Sequence, residues 1–170
     1  MKRLLFILLF IPVFGFSQYT TIPDENFEQT LIGLGYDDVI DGKVLTANIS
    51  NVDSLFLSNK NIKDLTGIGA FIDLTNLRCD SNQLTSLDVS KNYNLTELSC
   101  DDNQLTNLDV SKNTALEYLY CYKNKLTNLD VSSNPSLKYF YCEENLLASL
   151  DVSKNYNLTE LYCVKNQLKD

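Results

Sequence analysis

The chain has 170 residues, with 22 acidic residues against 14 basic ones and a formal net charge of −8. This excess of carboxylates argues against nucleic acid and anionic membrane surfaces as partners, because both require clustered lysine and arginine side chains. The length is sufficient for one domain with its own hydrophobic core.

The first 17 residues have the parts of a secretory signal peptide. Lys2 and Arg3 form a basic start, an apolar stretch follows, and small residues precede a predicted cleavage between Ser17 and Gln18. A membrane anchor is the alternative. The apolar stretch falls short of the roughly 20 residues that a spanning helix needs, and Pro12 interrupts it. We therefore expect an extracytoplasmic protein with no transmembrane segment in the mature chain.

Residues 18–51 are predicted to form an N-terminal cap with a short amphipathic helix. Pro23 suits the first turn of this helix, and Asp24 and Glu25 complement the positive end of its dipole. An apolar stripe follows at helical spacing and consists of Phe27, Leu31 and Leu34. Gly35 then supplies a stop signal.

Residues 37–42 resemble a calcium-binding loop only faintly. The ligand spacing is wrong, and no glutamate follows where such a loop would place a bidentate ligand. The sequence favours an Asp-Gly turn that leads into a strand over residues 43–47.

Residues 52–170 consist of repeats. The first repeat is atypical, with 22 residues from Leu57 to Cys79, the later ones have 21 residues, and the last is incomplete. Two columns keep this register, one of cysteine (Cys79, Cys100, Cys121, Cys142, Cys163) and one of asparagine (Asn82, Asn103, Asn124, Asn145, Asn166). Such a fixed period indicates one supersecondary unit stacked repeatedly, which is a solenoid.

The segment Leu95-x-x-Leu98-x-Cys100-x-x-Asn103-x-Leu105 follows the leucine-rich repeat pattern, with cysteine at one leucine position. Together with the period and the recurring Leu-Asp-Val-Ser segments, it resembles the bacterial internalin-type repeats, particularly their cysteine-laddered variant. The resemblance implies a leucine-rich repeat solenoid of short parallel strands and turns, behind a small helical cap. For function, it implies a binding module that is secreted by a bacterium or displayed on its surface.

The cysteine column is open to two interpretations. Secreted proteins commonly contain disulfides. However, all five cysteines occupy the same inward slot, and parallel strands hold such positions near 4.8 Å apart, whereas a disulfide needs Cβ atoms about 3.8 Å apart. Reduced, buried thiols are therefore favoured. Zinc is disfavoured because the chain has no histidine, and no cofactor is expected.

Two polar columns are assigned structural roles. The asparagine column is predicted to bond backbone groups where the chain turns out of each strand. A second column consists of Asp88, Asp109, Asp130 and Asp151. These aspartates suit a turn in which the carboxylate accepts a nearby backbone N–H, and a calcium ladder is the less favoured alternative.

The outward strand positions predict a candidate ligand-binding surface. Six tyrosines fall on three adjacent strands, with charged residues beside them, so the predicted site consists of Tyr118, Tyr120, Tyr122, Tyr139, Tyr141, Tyr162, Glu97, Asp101, Glu143 and Arg78. Contiguous exposed aromatic surface usually marks a partner site. Tyrosine also stabilises sheets through cross-strand pairs, and this is the alternative explanation.

No catalytic constellation is found in the sequence, so we expect a protein without enzyme activity. The favoured function is binding of an extracellular protein through the concave face of the repeats, as in adhesion. Binding of a glycan by the same tyrosines is the alternative, and a passive spacer in a larger surface protein is a third hypothesis. The chain ends partway through a coil, which favours a fragment of a longer protein over an open end that pairs with another molecule.

Overall fold

The computed structural model describes residues 18–169, and the signal peptide predicted for residues 1–17 lies outside them. Within the described residues, a small cap of two strands and two helices precedes a six-stranded parallel sheet. This arrangement confirms the predicted leucine-rich repeat solenoid with a small helical cap. No helix within residues 18–169 has both the length and the apolar character required to cross a membrane.

The cap is built around a short antiparallel strand pair. β1 (Tyr19–Thr21) pairs with β2 (Lys43–Leu45), α1 (Glu25–Gly33) lies between them in the chain, and α2 (Thr46–Ile49) follows β2 directly. β1 was not predicted from the sequence. β2 ends two residues earlier than predicted, because the Thr46 carbonyl already accepts the first helical hydrogen bond of α2.

Asp24 sets the start of α1 and joins the cap to the first repeat. Its Oδ1 atom accepts the backbone N–H groups of Asn26 and Phe27, each at 3.0 Å. Its Oδ2 atom accepts the N–H groups of Lys63 and Asp64 at 2.7 and 3.0 Å. An N-cap carboxylate contributes about 0.5–2 kcal/mol to helix stability. Here the same side chain also fixes the position of the helix against the repeats.

The two ends of α1 correct the sequence prediction in detail. Pro23 precedes the N-cap residue, so it lies outside the first helical turn. Leu34 is the C-cap residue and is 44 % exposed, so only Phe27 and Leu31 form the buried stripe. Gly35 ends the helix as predicted. Its φ of 81° lies in the left-handed region, and its N–H donates to a carbonyl of the last turn at 3.0 Å.

The parallel sheet contributes one three-residue strand to each coil and keeps the strands in chain order. The strands are β3 (Ser54–Phe56), β4 (Asn76–Arg78), β5 (Glu97–Ser99), β6 (Tyr118–Tyr120), β7 (Tyr139–Tyr141) and β8 (Glu160–Tyr162). Equivalent residues of neighbouring repeats pair directly, so Leu98 lies between Leu77 and Leu119. A 3₁₀ helix, Ile68–Ala70, lies within the first repeat.

The central residue of each strand points into the core. Five of these residues have no exposed surface: Leu55, Leu77, Leu98, Leu119 and Phe140. Burial of such a side chain contributes roughly 1.5–3 kcal/mol before the entropy of chain ordering is subtracted. In β8 the equivalent Leu161 is 37 % exposed, because no further strand in residues 18–169 covers it.

The five cysteines are all free thiols, as favoured by the sequence analysis. Four are fully buried, and Cys163 in the last coil is only partly buried. Burial raises the pKa of the Cys142 thiol to about 12. The four fully buried thiols therefore stay protonated at neutral pH and pack as small apolar groups.

The predicted asparagine column forms hydrogen bonds that cross from each coil to the one before it. In Asn124, Nδ2 donates to the carbonyls of Cys100 and Cys121, both at 3.1 Å. Its Oδ1 accepts the N–H of Leu105 at 2.9 Å. The same pattern occurs at Asn103, Asn145 and Asn166. We call this column the first asparagine ladder.

A second asparagine ladder was not predicted. It consists of Asn92, Asn113, Asn134 and Asn155, which are at most 4 % exposed. The Nδ2 atom of Asn113 donates to the carbonyls of Val89 and Asn92 at 3.0 and 2.8 Å. These amides therefore satisfy backbone carbonyls on the side of the coil away from the first ladder.

The aspartate column makes the predicted turns. In each case the carboxylate accepts the N–H of the serine two residues later, at 2.8–2.9 Å: Asp88, Asp109, Asp130 and Asp151. Hydrogen bonds from these serines hold the pKa of all four carboxyls below its ordinary value. Within residues 18–169, no group of three or more cysteine, aspartate or glutamate side chains is arranged to hold a metal ion.

Candidate functional site

The outward side chains of the sheet form three rows across the strands, on the face that lines the concave side of a leucine-rich repeat solenoid. Equivalent residues define each row. The first row is Asn76, Glu97, Tyr118, Tyr139 and Glu160, and the second is Arg78, Ser99, Tyr120, Tyr141 and Tyr162. The third row lies just past the strand ends and is Asp80, Asp101, Tyr122, Glu143 and Val164.

The predicted tyrosines lie on neighbouring coils, and five of the six make ring contacts across the strands. In the first row, the rings of Tyr118 and Tyr139 stack with centroids 5.0 Å apart and planes 5° apart. In the second row, Tyr141 makes edge contacts with Tyr120 and Tyr162, at 5.1 and 4.6 Å. Tyr122 completes the group in the third row. We refer to these six residues as the tyrosine patch.

Ring contacts leave most of the tyrosine patch half-buried. Tyr162, at the edge of the sheet, is 50 % exposed. The Tyr141 hydroxyl donates to Oε2 of Glu160 at 2.6 Å. This hydrogen bond, with some burial, raises the pKa of Tyr141 to about 12. Tyr141 is therefore a restrained ring whose hydroxyl is neutral at physiological pH.

Arg78 and Glu97, both predicted site residues, neutralise each other. The Arg78 guanidinium contacts Oε1 of Glu97 through Nη2 at 2.8 Å and through Nε at 3.0 Å. The amide of Asn76 donates to the other carboxylate oxygen at 2.8 Å. The Arg78 guanidinium also lies 5.9 Å from the centre of the Phe56 ring. The charged side chains on this side of the concave face are therefore paired with each other.

Asp101 differs from the expected exposed carboxylate, because it is only 6 % exposed. The Ser99 hydroxyl donates to its Oδ1 at 2.7 Å, and the Tyr122 hydroxyl also bonds it. Burial raises the pKa of Asp101, although these hydrogen bonds act in the opposite direction. The hydrogen bond to Asp101 likewise raises the pKa of Tyr122 well above its ordinary value.

A shallow depression of about 480 Å³ lies where the tyrosine patch meets the carboxylates. It is lined by Ser58, Arg78, Asp80, Glu97, Ser99, Asp101, Tyr120, Tyr122 and Tyr141. Of the predicted site residues, Tyr118, Tyr139, Tyr162 and Glu143 lie outside it. The predicted site therefore consists of two overlapping parts: the ring contacts over β6 to β8, and this depression, whose predicted site residues come from β4 to β7 and the turns after them.

Three residues of the depression were missed as site residues. Asp80 accepts a hydrogen bond from the Ser58 hydroxyl at 2.5 Å, just as Asp101 does from Ser99. The signal for Asp80 and Ser99 was available, since both occupy outward slots in the repeat register. Ser58 comes from the atypical first repeat, where the register is harder to assign.

A larger hollow of about 790 Å³ lies between the cap and the first two repeats. Its lining includes Leu45, Ala47, Ala70 and Ile72 and is mostly apolar, with Lys91 as its charged residue. None of the predicted site residues contributes to it.

Comparison with solved structures gives related solenoids, whereas no protein-family model and no curated protein sequence matches the chain. The functional domain of InlJ from Listeria monocytogenes, which includes a cysteine ladder, is 41 % identical with a TM-score of 0.83. The alignment covers 92 % of this chain and 36 % of that domain.

Two further structures share the fold at lower identity. A leucine-rich repeat protein of Leptospira interrogans, LIC12759, is 24 % identical, with a TM-score of 0.69 over 72 % of this chain and 33 % of that one. The internalin InlF of Listeria monocytogenes is 20 % identical, with a TM-score of 0.67 over 88 % of this chain and 52 % of that one. The chain thus spans from a third to about half the length of these proteins, and it resembles the cysteine-laddered internalin repeats.

Proposed function

We propose that this internalin-like leucine-rich repeat chain is a protein-binding module, secreted by a bacterium or displayed on its surface, whose concave face grips an extracellular protein. The observation that carries the proposal is the tyrosine patch. Its six rings occupy outward positions that core packing leaves free. Five of them contact a neighbouring ring, as one pair and one group of three, over three neighbouring strands.

The physical chemistry of tyrosine supports this proposal. Tyrosine provides a large rigid contact area with a polar tip, and it is enriched among the residues that dominate protein interfaces. Ring contacts and the hydrogen bond from Tyr141 to Glu160 already restrict the side chains. Binding therefore costs less conformational entropy than it would for freely rotating side chains.

Glycan recognition is the second candidate, and the stack of Tyr118 on Tyr139 favours it. Half-buried rings can pack against the apolar face of a sugar, while Glu97 and Glu160 in the same row offer acceptors for hydroxyl groups. The chain has no histidine, its described residues form no metal cluster, and its carboxylates repeat by position, so we propose no enzyme activity.

The test compares two double variants that each remove two tyrosines. Tyr120→Ala with Tyr141→Ala removes the centre of the tyrosine patch, whereas Tyr93→Ala with Tyr156→Ala removes exposed rings that lie off the sheet. Each immobilised protein is offered a panel of extracellular proteins and a glycan array. We expect the patch variant to lose binding by at least about tenfold, as two interface hot spots would imply, and the control variant to match the wild type.

The panel that responds identifies the ligand class. Saturable, patch-dependent binding to proteins supports the proposal, whereas binding confined to the glycan array supports the second candidate. Equal binding by wild type and patch variant contradicts both, and no binding to either panel favours the passive spacer.

A further inference from the structure

The concave face carries more negative than positive charge, and its arginine already forms an ion pair. Arg78 is paired with Glu97, and no ion pair within residues 18–169 involves Asp80, Asp101 or Glu143. The Oε2 atom of Glu143 is buried without a hydrogen-bond partner. Carboxylates brought close together without a cation repel each other. The negative charge of this face is therefore not compensated by basic side chains of the described residues.

Two of these carboxylates, those of Asp80 and Asp101, lie next to tyrosine side chains. Asp80 and Asp101 line the depression on adjacent coils, together with Tyr120 and Tyr122. Serine hydroxyls hold both carboxylates in place, Asp80 through Ser58 and Asp101 through Ser99. The positions of the charges are thus set before a partner arrives, which lowers the cost of binding.

We infer that the protein partner places an arginine or lysine side chain in this depression. The inference rests on the proposed function, since it specifies the chemistry of the partner at the same face. A guanidinium or ammonium group satisfies two demands at once: it compensates the carboxylate pair, and it packs against tyrosine rings, which attract cations. A neutral sugar would leave the charge uncompensated.

The chain already makes contacts of this kind within itself. The Arg78 guanidinium lies over Phe56 and pairs with Glu97 on the same face, and the Lys123 ammonium lies 6.0 Å from the centre of the Tyr122 ring. The latter is long for a cation–π contact, and Lys123 is exposed at the rim. Lys123 therefore does not compensate Asp80 or Asp101, and neither carboxylate forms an ion pair within residues 18–169.

The test uses acetylated, amidated tripeptides as probes: Gly-Arg-Gly, Gly-Lys-Gly and the neutral Gly-Gln-Gly. Each is titrated into the protein at low ionic strength, and the tyrosine ring signals are followed by NMR. We expect the two cationic peptides to shift the signals of Tyr120 and Tyr122 saturably, with at least about tenfold higher affinity than the neutral peptide. Added salt should weaken binding.

Matched carboxamide variants test the carboxylates. Asp80→Asn with Asp101→Asn keeps the shape and the serine hydrogen bonds, and should reduce affinity for the arginine peptide at least about tenfold. Asp109→Asn with Asp130→Asn removes the same charge from exposed turns and should have little effect. Thermal unfolding of the wild type and the two double variants checks that each variant is folded.

The outcomes separate this inference from the proposed function. Equal affinity for the arginine and glutamine peptides, or unchanged arginine affinity in Asp80→Asn with Asp101→Asn, overturns the inference. If either result appears while the tyrosine double variant still loses its protein partner, the proposed function stands alone. Binding of a neutral oligosaccharide to the depression, without binding of the cationic peptides, also overturns it.

Discussion

The inward and outward faces of the six-stranded sheet follow different rules on the same strands. Across β4, β5 and β6 the inward central residue is always leucine: Leu77, Leu98 and Leu119. The outward residue one place later changes from Arg78 to Ser99 to Tyr120. Packing density fixes the inward identity, because each coil must fill the same space against its neighbours. No such constraint acts on the outward residue, so its identity is free to serve a partner.

We expect the largest difference in unfolding free energy between an inward and an outward substitution in the same strand. Phe140→Ala removes a fully buried ring from β7 and should lower the free energy of unfolding by about 3–5 kcal/mol. Tyr139→Ala removes the outward ring beside it, and its cost should be nearer that of one aromatic pair, about 0.5–1.5 kcal/mol. Urea denaturation measures both. Similar losses would mean that the tyrosine patch stabilises the fold as strongly as the core does.

A smaller difference is expected between buried and exposed amides. Asn124→Ala removes hydrogen bonds to Cys100, Cys121 and Leu105 and leaves their backbone groups without partners, at a cost of about 2–4 kcal/mol. Asn128→Ala changes an exposed residue and should stay within about 0.5 kcal/mol of the wild type. The same denaturation measurement applies. If Asn124→Ala leaves the free energy of unfolding nearly unchanged, water molecules must replace the hydrogen bonds of the Asn124 amide.

Within the cysteine column, we expect a modest difference in stability between substitutions at a fully buried and a partly buried position. Cys121→Ala removes a fully buried sulfur and should cost about 1–2 kcal/mol, whereas Cys163→Ala should cost less because its site is partly exposed. In the native protein at pH 8, a thiol reagent should modify Cys163 first. Rapid reaction of all five thiols would contradict the buried ladder.

The smallest effects concern pH and have opposite signs on two aspartates. The folded-state pKa of Asp101 is raised above 3.8, so ionisation opposes folding as pH rises through that range. Asp101→Asn should therefore raise the denaturant midpoint at pH 7. The gain should shrink as pH falls through the raised folded-state pKa and should be absent below the ordinary value of 3.8.

Asp130 gives the opposite case. Its folded-state pKa is lowered from 3.8, so its contribution to stability is present above that pH and is lost as pH falls through the folded-state value. Asp130→Asn should slightly lower the midpoint at pH 7, and this effect should disappear once the pH is below the lowered folded-state pKa. Parallel pH profiles for the two variants would show that burial of Asp101 does not govern its ionisation.

The sequence was sufficient to predict the repeated part of the fold, because the 21-residue period shows which positions lie in strands, in turns and in the core. Leu98, Cys100 and Asn103 recur in each repeat, so their roles could be assigned from spacing alone. The cap offered no such repetition. β1 is three residues long and is defined by its pairing with β2, which no local pattern reveals.

The sequence predicted which residues belong to the candidate site, but it did not predict how their side chains are arranged. Outward slots identified the tyrosine patch, yet the burial of Asp101 depends on how Ser99 and Tyr122 orient around it. The second asparagine ladder was missed for a similar reason. Its spacing was visible, but asparagine after a turn commonly bonds locally, whereas Asn113 reaches back to Val89 and Asn92.

The first asparagine ladder has a mechanical consequence. Each of its amides holds the backbone of the preceding coil, so a force applied along the solenoid axis acts on a series of similar joints. When one joint opens, the 21 residues of a coil are released, which lengthens the chain by roughly 70 Å. Stretching of single molecules should show steps of that size. A binding module under shear could thus extend coil by coil, absorbing work while its remaining coils hold their ligand.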